Sequence, residues 1–208
     1  MMNYFLFLLN FAFFGIFLPD PEPEIIIEKR LAELVQEFVS IKYSKYKMKE
    51  YIYVGVKRQR LYLISDTTVV LSYPISTSKY GVGSENLSEK TPLGLHKIES
   101  MIGENAPLNG ILLGTTYTGK TATIISEAKA GDTDDVTTRA MRLKGLENKI
   151  NQGGNKDSYA RAIFIHGTPE EGLIGTPASH GCIRMKNKDV IELFNRVKTG
   201  CYVIILNN

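Results

Sequence analysis

Residues 51–75 read YIYVGVKRQRLYLISDTTVVLSYPI. Three runs rich in β-branched and aromatic residues stand in this stretch: Tyr51–Val56, Arg60–Ile64 and Val69–Ile75. The apolar pattern is of period two and comes in short runs, with only brief polar links between them. Runs of this length, joined this closely, read as strands of a β-meander rather than as helices.

Working outward from it, Leu95–Ile98, Ala122–Ile125, Arg139–Leu143, Arg161–Ile165 and Tyr202–Leu206 have the same character. One late helix is expected from about Lys188 to Val197, with Val190, Ile191, Phe194 and Val197 on one face. Many short strands and few helices predict a mainly β domain, a sandwich or barrel, over 51–208. No internal repeat is visible. The stretch from Gly103 to Tyr159 is long and polar, so it is either a lid or groove wall or a decorated surface. On the N-terminal side, Ile27, Leu31, Leu34, Val35, Phe38 and Ile41 recur at helical spacing. They predict an amphipathic helix that packs on the domain or lies on a membrane. Pro19-Asp20-Pro21-Glu22-Pro23-Glu24 reads as a linker, which makes 19–50 a linker-plus-helix segment.

Ahead of the linker, Tyr4–Leu18 is apolar apart from Asn10 and Gly15. As a helix it would reach roughly 22 Å, short of the ~30 Å bilayer core. That length fits the h-region of a signal peptide, although no Lys or Arg precedes it and no Ala-x-Ala site follows. Residues 1–18 are therefore expected to be a signal peptide or a retained membrane anchor. Either places the rest of the chain in the periplasm or cell envelope.

The chain has 208 residues, 43% of them hydrophobic, enough for one domain with a real core. A net charge of +3 is too balanced for a nucleic-acid partner. Locally, Lys42, Lys45, Lys47, Lys49, Lys57, Arg58 and Arg60 are offset only by Glu50, either a solvated face or a contact for an anionic surface. The two cysteines, Cys182 and Cys201, are too few for a disulfide scaffold. Cys201 lies in a β-branched run and is expected to be a buried core thiol.

Gly114-Thr115-Thr116-Tyr117-Thr118-Gly119-Lys120-Thr121 matches the G-x-x-x-x-G-K-[ST] phosphate-binding loop. That loop needs a helix after it, whose N-terminus faces the phosphates. The residues that follow are β-branched, so the match is read as a turn and not as a nucleotide site. The stronger constellation is Ile163-Phe164-Ile165-His166-Gly167-Thr168 followed by Pro177-Ala178-Ser179-His180-Gly181-Cys182-Ile183-Arg184-Met185. A strand delivers His166 at its end, and small residues leave room around Cys182. Gly181 allows a sharp turn that can aim consecutive N–H groups at one point. A thiol attacks only as thiolate, and a nearby imidazole is its usual activator. Cys182 is thus the candidate nucleophile and His166 its general acid/base, and loss of the imidazole is expected to lower thiol reactivity near neutral pH. A zinc site from His96, His166, His180 and Cys182 is the rival; His180-Gly181-Cys182 is too tight for the usual ligand pair, so no metal is expected.

His166 followed after a short loop by Ser179-His180-Gly181-Cys182-Ile183-Arg184 resembles the signature of the L,D-transpeptidase (YkuD-type) family. Arg60-Leu61-Tyr62-Leu63, Ser72-Tyr73-Pro74-Ile75-Ser76-Thr77 and Lys90-Thr91-Pro92-Leu93-Gly94 resemble the family's opening hairpin and its Thr-Pro-x-Gly turn. The His-to-Cys gap is short for the family, and Arg184 stands where many members have Asn. The resemblance implies a β-sandwich-like catalytic domain with Cys182 in a groove under a flap. It implies that Cys182 takes the acyl group of a tetrapeptide stem of peptidoglycan, releases D-Ala and passes the acyl group to an amine. Acceptors would be another stem, giving a 3–3 crosslink, or an envelope lipoprotein; water would make the chain an L,D-carboxypeptidase. By the same resemblance the Gly167 carbonyl orients His166, and N–H groups at Gly181 and Cys182 hold the oxyanion. Ser179, His180 and Arg184 shape the substrate site, Arg184 either pairing with a substrate carboxylate or forming an ion pair within the fold. No cofactor is implied. A wall-binding module that keeps the fold without the chemistry is the reading from another class.

Overall fold

The computed structural model describes residues 24–208; the apolar run at 4–18 and the linker up to Pro23 lie outside the described residues. The meander forms as expected: β1 (Glu50–Gly55), β2 (Arg60–Ser65) and β3 (Thr68–Pro74) pair antiparallel in sequence order. β1 is apolar at successive positions because it is covered on both faces. Ile52 and Val54 enter the main core, while Tyr51 and Tyr53 enter a second cluster on the opposite side.

That second cluster is closed by α1 (Glu24–Lys42), which contributes Leu31, Ala32, Val35 and Val39. The helix therefore packs on the domain with part of the expected stripe, Leu31 and Val35 buried and Phe38 partly so, while Ile27, Leu34 and Ile41 are exposed. Tyr43, just past the helix, donates its hydroxyl to Glu147 at 3.2 Å, and Glu147 also accepts the Leu95 N–H at 2.7 Å. The helix is thus tied to the sheet by polar as well as apolar contacts.

β10 (Tyr202–Leu206) runs parallel beside β1, followed across the sheet by β4 (Gly94–Ile102) and β7 (Val136–Gly145). β8 (Phe164–Gly167) pairs with β7, and β9 (Ile183–Met185) runs parallel to β8. The sheet then meets itself. Ser76, just past β3, forms an antiparallel bridge with Arg184 in β9, with N–H···O distances of 2.9 and 2.8 Å. The two layers expected of a sandwich are thus one ten-stranded sheet curled almost into a barrel around Ile52, Val54, Leu63, Met141, Ile165 and Ile183. α2 (Asn187–Arg196) covers β7 and β8 with Val190, Leu193 and Phe194.

β5 (Gly110–Leu113) and β6 (Thr116–Thr121) form a hairpin that joins β7 only at its first residues, Ile111 opposite Thr137 and Leu112 opposite Val136. The phosphate-loop look-alike is this hairpin: Gly114, at φ +61, lies in its turn, and no helix follows Thr121. Two strand expectations change. Ala122–Ile125 is not a strand and is held by Ala122 N–H on Asn109 O and Ile125 N–H on Pro169 O, both at 2.8 Å. Arg161–Ile163 is a turn with Ala162 at φ 53, and β8 starts at Phe164.

Candidate active site

β8 and β9 are parallel, with Ile165 opposite Ile183 and His166 opposite Arg184. One step back along this register, Cys182 stands opposite Phe164. Strand side chains alternate, so Cys182, Phe164, His166 and Arg184 leave the sheet on one side while Ile165 and Ile183 enter the core. Adjacent strands, rather than the connecting loop alone, bring thiol and imidazole to the same face.

The partly exposed thiol accepts the Phe164 N–H at 3.4 Å and points its own hydrogen at Ala162 O at 3.5 Å. Among the described residues no hydrogen bond joins it to His166. His166 is buried, with Nδ1 2.8 Å from the carbonyl oxygen of Gly167. A carbonyl only accepts, so Nδ1 carries the proton and Nε2 is the free, basic nitrogen. Gly167 is where this contact is fixed. A Cβ there would lie 2.6 Å from Asn187 Oδ1 and 2.7 Å from Thr137 O. Asn187 is held by the Thr137 and Thr138 hydroxyls at 2.7 and 2.5 Å and by Thr168 O at 2.8 Å. Thr138 sits at φ 65 where the β7–β8 register slips, a bulge that brings both hydroxyls to Asn187.

Burial sets the electrostatics of the resting pair. It pushes the Cys182 thiol up to about 11, against smaller downward pulls from the Phe164 N–H and the Arg184 and Arg161 charges, and with a further rise from Asp134. It pushes His166 down to about 4, opposed by the Gly167 carbonyl and Asp134. Both shifts favour the neutral forms, thiol and imidazole, over thiolate and imidazolium.

The loop carrying the nucleophile is clamped at both ends. Ser179 N–H donates to Thr77 O at 2.9 Å, Lys79 N–H to Ser179 O at 3.1 Å, and the Ser76–Arg184 bridge holds the far side. Inside the loop the fully buried Ser179 donates its hydroxyl to Cys182 O at 2.6 Å and accepts the Gly181 N–H at 3.2 Å. The Gly181 carbonyl accepts the Thr91 hydroxyl at 3.1 Å. Gly181 has φ +123, a backbone open in practice only to glycine, and a Cβ there would come within 3.3 Å of Lys90 O. In this state its N–H serves Ser179.

Arg184 is 1% exposed, and both terminal nitrogens of its guanidinium are paired inside the protein. Nη1 meets Glu170 Oε2 at 2.6 Å and Nη2 meets Asp134 Oδ2 at 2.5 Å. Of the two roles open to it from sequence, the ion pair within the fold is the one present; its buried Nε has no hydrogen-bond partner among the described residues. His180 is exposed, and its Nδ1 lies 2.7 Å from the same Asp134 oxygen. Burial raises Asp134, but the His180 hydrogen bond and the Arg184 charge outweigh it and hold the carboxyl below the usual range. Asp134 and Glu170 are the residues that sequence reading missed. Neither lies in a motif, and only the fold brings them to Arg184.

A groove of about 480 Å³ lies beside the thiol: Cys182 itself is not in its lining, but Ala162 and Phe164, its two hydrogen-bond partners, are. Leu112, Gly114 and Thr115 of the β5–β6 hairpin form one wall, and Ile102 and Ala140 are also in its lining. This part of 103–159 is therefore groove wall. Arg142 is its cation, with the guanidinium 3.8 Å from the Tyr159 ring centre. A cleft of about 500 Å³ elsewhere is lined by Lys47, Lys49, Arg196, Lys198 and Cys201, none of them site residues. Cys201 is only partly buried there, because its strand starts at the rim.

The zinc alternative does not assemble. Among the described residues no three His, Cys, Asp or Glu side chains are grouped to hold a metal ion. His96 is fully buried, with its nitrogens on Gly94 O at 3.1 Å and Ser158 Oγ at 2.9 Å.

Residues 49–205 match the YkuD family, the L,D-transpeptidase catalytic domain. Among curated proteins, the chain is 56% identical over 65 residues to the putative L,D-transpeptidase YkuD of Bacillus subtilis strain 168, covering 29% of this chain and 40% of that one. It is 30% identical over 105 residues to the putative L,D-transpeptidase YqjB of the same strain (44% and 57%). Against the probable L,D-transpeptidase YcfS of Escherichia coli K12 it is 30% identical over 112 residues (47% and 35%). The matches thus span less than two thirds of these relatives' own lengths. Of solved structures, a mutant L,D-transpeptidase of Enterococcus faecium aligns with TM-score 0.47 at 18% identity, over 76% of this chain and 50% of that one. The L,D-transpeptidase of Xylanimonas cellulosilytica aligns with TM-score 0.45 at 18% identity, over 76% and 60%.

Proposed function

The chain belongs to the L,D-transpeptidase (YkuD) catalytic-domain family, and from that premise we propose that it is a cysteine acyltransferase acting on peptidoglycan stem peptides. The observation that carries this reading is the position of Cys182. Its sulfur is hydrogen-bonded to Ala162 and Phe164, which line a neighbouring groove of about 480 Å³, and it shares a sheet face with an imidazole whose Nδ1 is pinned and whose Nε2 is free.

In this reading a tetrapeptide stem lies in the groove and its acyl carbonyl approaches Cys182. The thiol proton moves to His166 Nε2 as sulfur attacks, because the resting pair is neutral and no thiolate waits beforehand. The oxyanion meets the Cys182 N–H, and the Gly181 N–H once released from Ser179. His166 then hands the proton to the departing D-Ala amine. Arg142 in the groove supplies a cation for a stem carboxylate. The acyl-enzyme passes to an amine, either a second stem, giving a 3–3 crosslink, or a lysine of an envelope lipoprotein. All the groups this chemistry needs are protein groups. The apolar segment 4–18 supports a location outside the cytoplasmic membrane, where such substrates are found.

Incubation with purified tetrapeptide muropeptides followed by mass spectrometry tests the reading. The expected products are D-Ala and a crosslinked dimer, both absent with Cys182→Ala. Release of D-Ala with tripeptide as the sole partner product would make the enzyme an L,D-carboxypeptidase. Turnover by Cys182→Ala would remove the mechanism.

A further inference from the structure

His166 and His180 are alike at one nitrogen and unlike elsewhere. Each has Nδ1 fixed on an oxygen, Gly167 O at 2.8 Å for His166 and Asp134 Oδ2 at 2.7 Å for His180. His166 is 2% exposed, whereas the His180 side chain is 40% exposed and lies two positions before the nucleophile. The Tyr80 ring, 6.1 Å away between centres, lies on one side of His180. With Nδ1 facing a carboxylate, Nε2 of His180 is left open to solvent.

Asp134 is placed there firmly. Its segment is fastened to the turn after β8 by Ile125 N–H on Pro169 O, Gly172 N–H on Ile125 O (2.9 Å) and Gly131 N–H on Glu170 Oε1 (2.6 Å). Neutralising Arg184 does not account for the arrangement alone, since Glu170 already meets the guanidinium at 2.6 Å. The Asp134 oxygen on Arg184 is also the one that orients His180.

Acyl transfer moves protons in both halves. In the first, a thiol proton must reach a leaving amine, which a buried imidazole beside the sulfur can manage. In the second, an amine arriving from solution must lose a proton as it attacks, which calls for a base on the open side of the sulfur. We propose that His180 is that base for the acceptor half-reaction and that Asp134 is its positioning residue. The inference rests on the acyl-enzyme reading given above. The amine lone pair attacks the thioester carbon, a C–N bond forms, and the N–H proton passes to His180 Nε2. The carbonyl re-forms, the C–S bond breaks, and its electron pair stays on the Cys182 sulfur. The proton held by His180 returns to that sulfur directly or through water, restoring thiol and neutral imidazole.

The test follows each half separately in the full chain, using a tetrapeptide stem as donor and a stem amine as acceptor. Intact-protein mass spectrometry reads the acyl-enzyme, and chromatography reads released D-Ala and crosslinked product. In His180→Ala and Asp134→Asn, acyl-enzyme is expected to accumulate, with transfer slowed about 10²-fold and at least about tenfold more than acylation. Free imidazole should restore transfer in His180→Ala, which a packing role would not permit. Asp134→Asn keeps the side-chain shape, so it carries the test if His180→Ala fails to fold. Equal slowing of both halves, or no accumulation in either variant while wild type turns over, overturns the proposal. Wild type that never forms an acyl-enzyme overturns the parent reading instead.

Discussion

Cys182 and His166 are shifted in opposite directions by the same cause, loss of water, to about 11 and about 4. Thiolate then grows about tenfold per pH unit all the way through the neutral range. Iodoacetamide labelling of Cys182 should therefore climb from pH 6 to pH 10 without a plateau, and His166→Ala should leave that climb nearly unchanged while slowing turnover by about 10²–10⁴-fold. A plateau at or below pH 7 would mean a preformed ion pair. This differs from the sequence expectation that removing the imidazole lowers thiol reactivity, because a thiol with Ala162 O as its partner does not depend on His166 for its charge state. Arg184 makes a related point. Its charge is buried between two carboxylates, and removing one member of such a group typically costs about 3–5 kcal/mol, so a loss of activity on its substitution reports structure before substrate.

The β5–β6 hairpin is attached to the sheet by only two register pairs, yet it walls the groove. Its hold is a small apolar cluster of Leu112 with Ile102, Ala106 and Ala140. Leu112→Ala should cost about 2–4 kcal/mol of local stability. Hydrogen exchange is expected to quicken in residues 110–121 while β1 and β10 stay protected, and KM to rise more than kcat falls; protection lost uniformly would show that the hairpin is no separate unit. This element also marks the limit of what the sequence made legible. The meander, both helices, the last strand and the His166–Cys182 constellation were readable because each is a local pattern. β5 was not, since Gly110–Leu113 has no periodicity of its own and exists through pairing with β7. Ala122–Ile125 looked like a strand by propensity, but in the fold it is bonded to the turn after β8 through Pro169 and Gly172 and not to a strand. The helix face was only half legible: Leu31 and Val35 are buried as expected, but Leu34 and Ile41 are exposed and the sheet also meets Ala32 and Val39. Asp134 and Glu170 had no local pattern at all.

At the scale of the molecule, a sheet covered on both faces holds two histidines away from water. Burial lowers His96 and His166 from the ordinary 6.5 to about 4. Between those values the unfolded chain binds protons that the folded one does not, so stability rises with pH and is lost as pH falls from about 6.5 toward 4. Each histidine contributes on the order of 3 kcal/mol to that loss. Urea midpoints measured from pH 7.5 to pH 4 should fall across this window, and His96→Gln should flatten the fall whatever it does to stability at pH 7.5; an unchanged slope would mean that His96 titrates in the folded state. The curled sheet has one more consequence, which concerns the order of events in time. β10 lies between β1 and β4, so the middle of the sheet closes only when Tyr202–Leu206 pairs with Tyr51–Gly55, far earlier in the chain. A folding chain can form the β1–β3 meander from local contacts but joins it to β4 and β7 only through that long-range pairing. The thiol site, which depends on both halves being clamped at Ser76 and Arg184, is therefore completed late in folding, and intermediates before that step carry an unarmed cysteine.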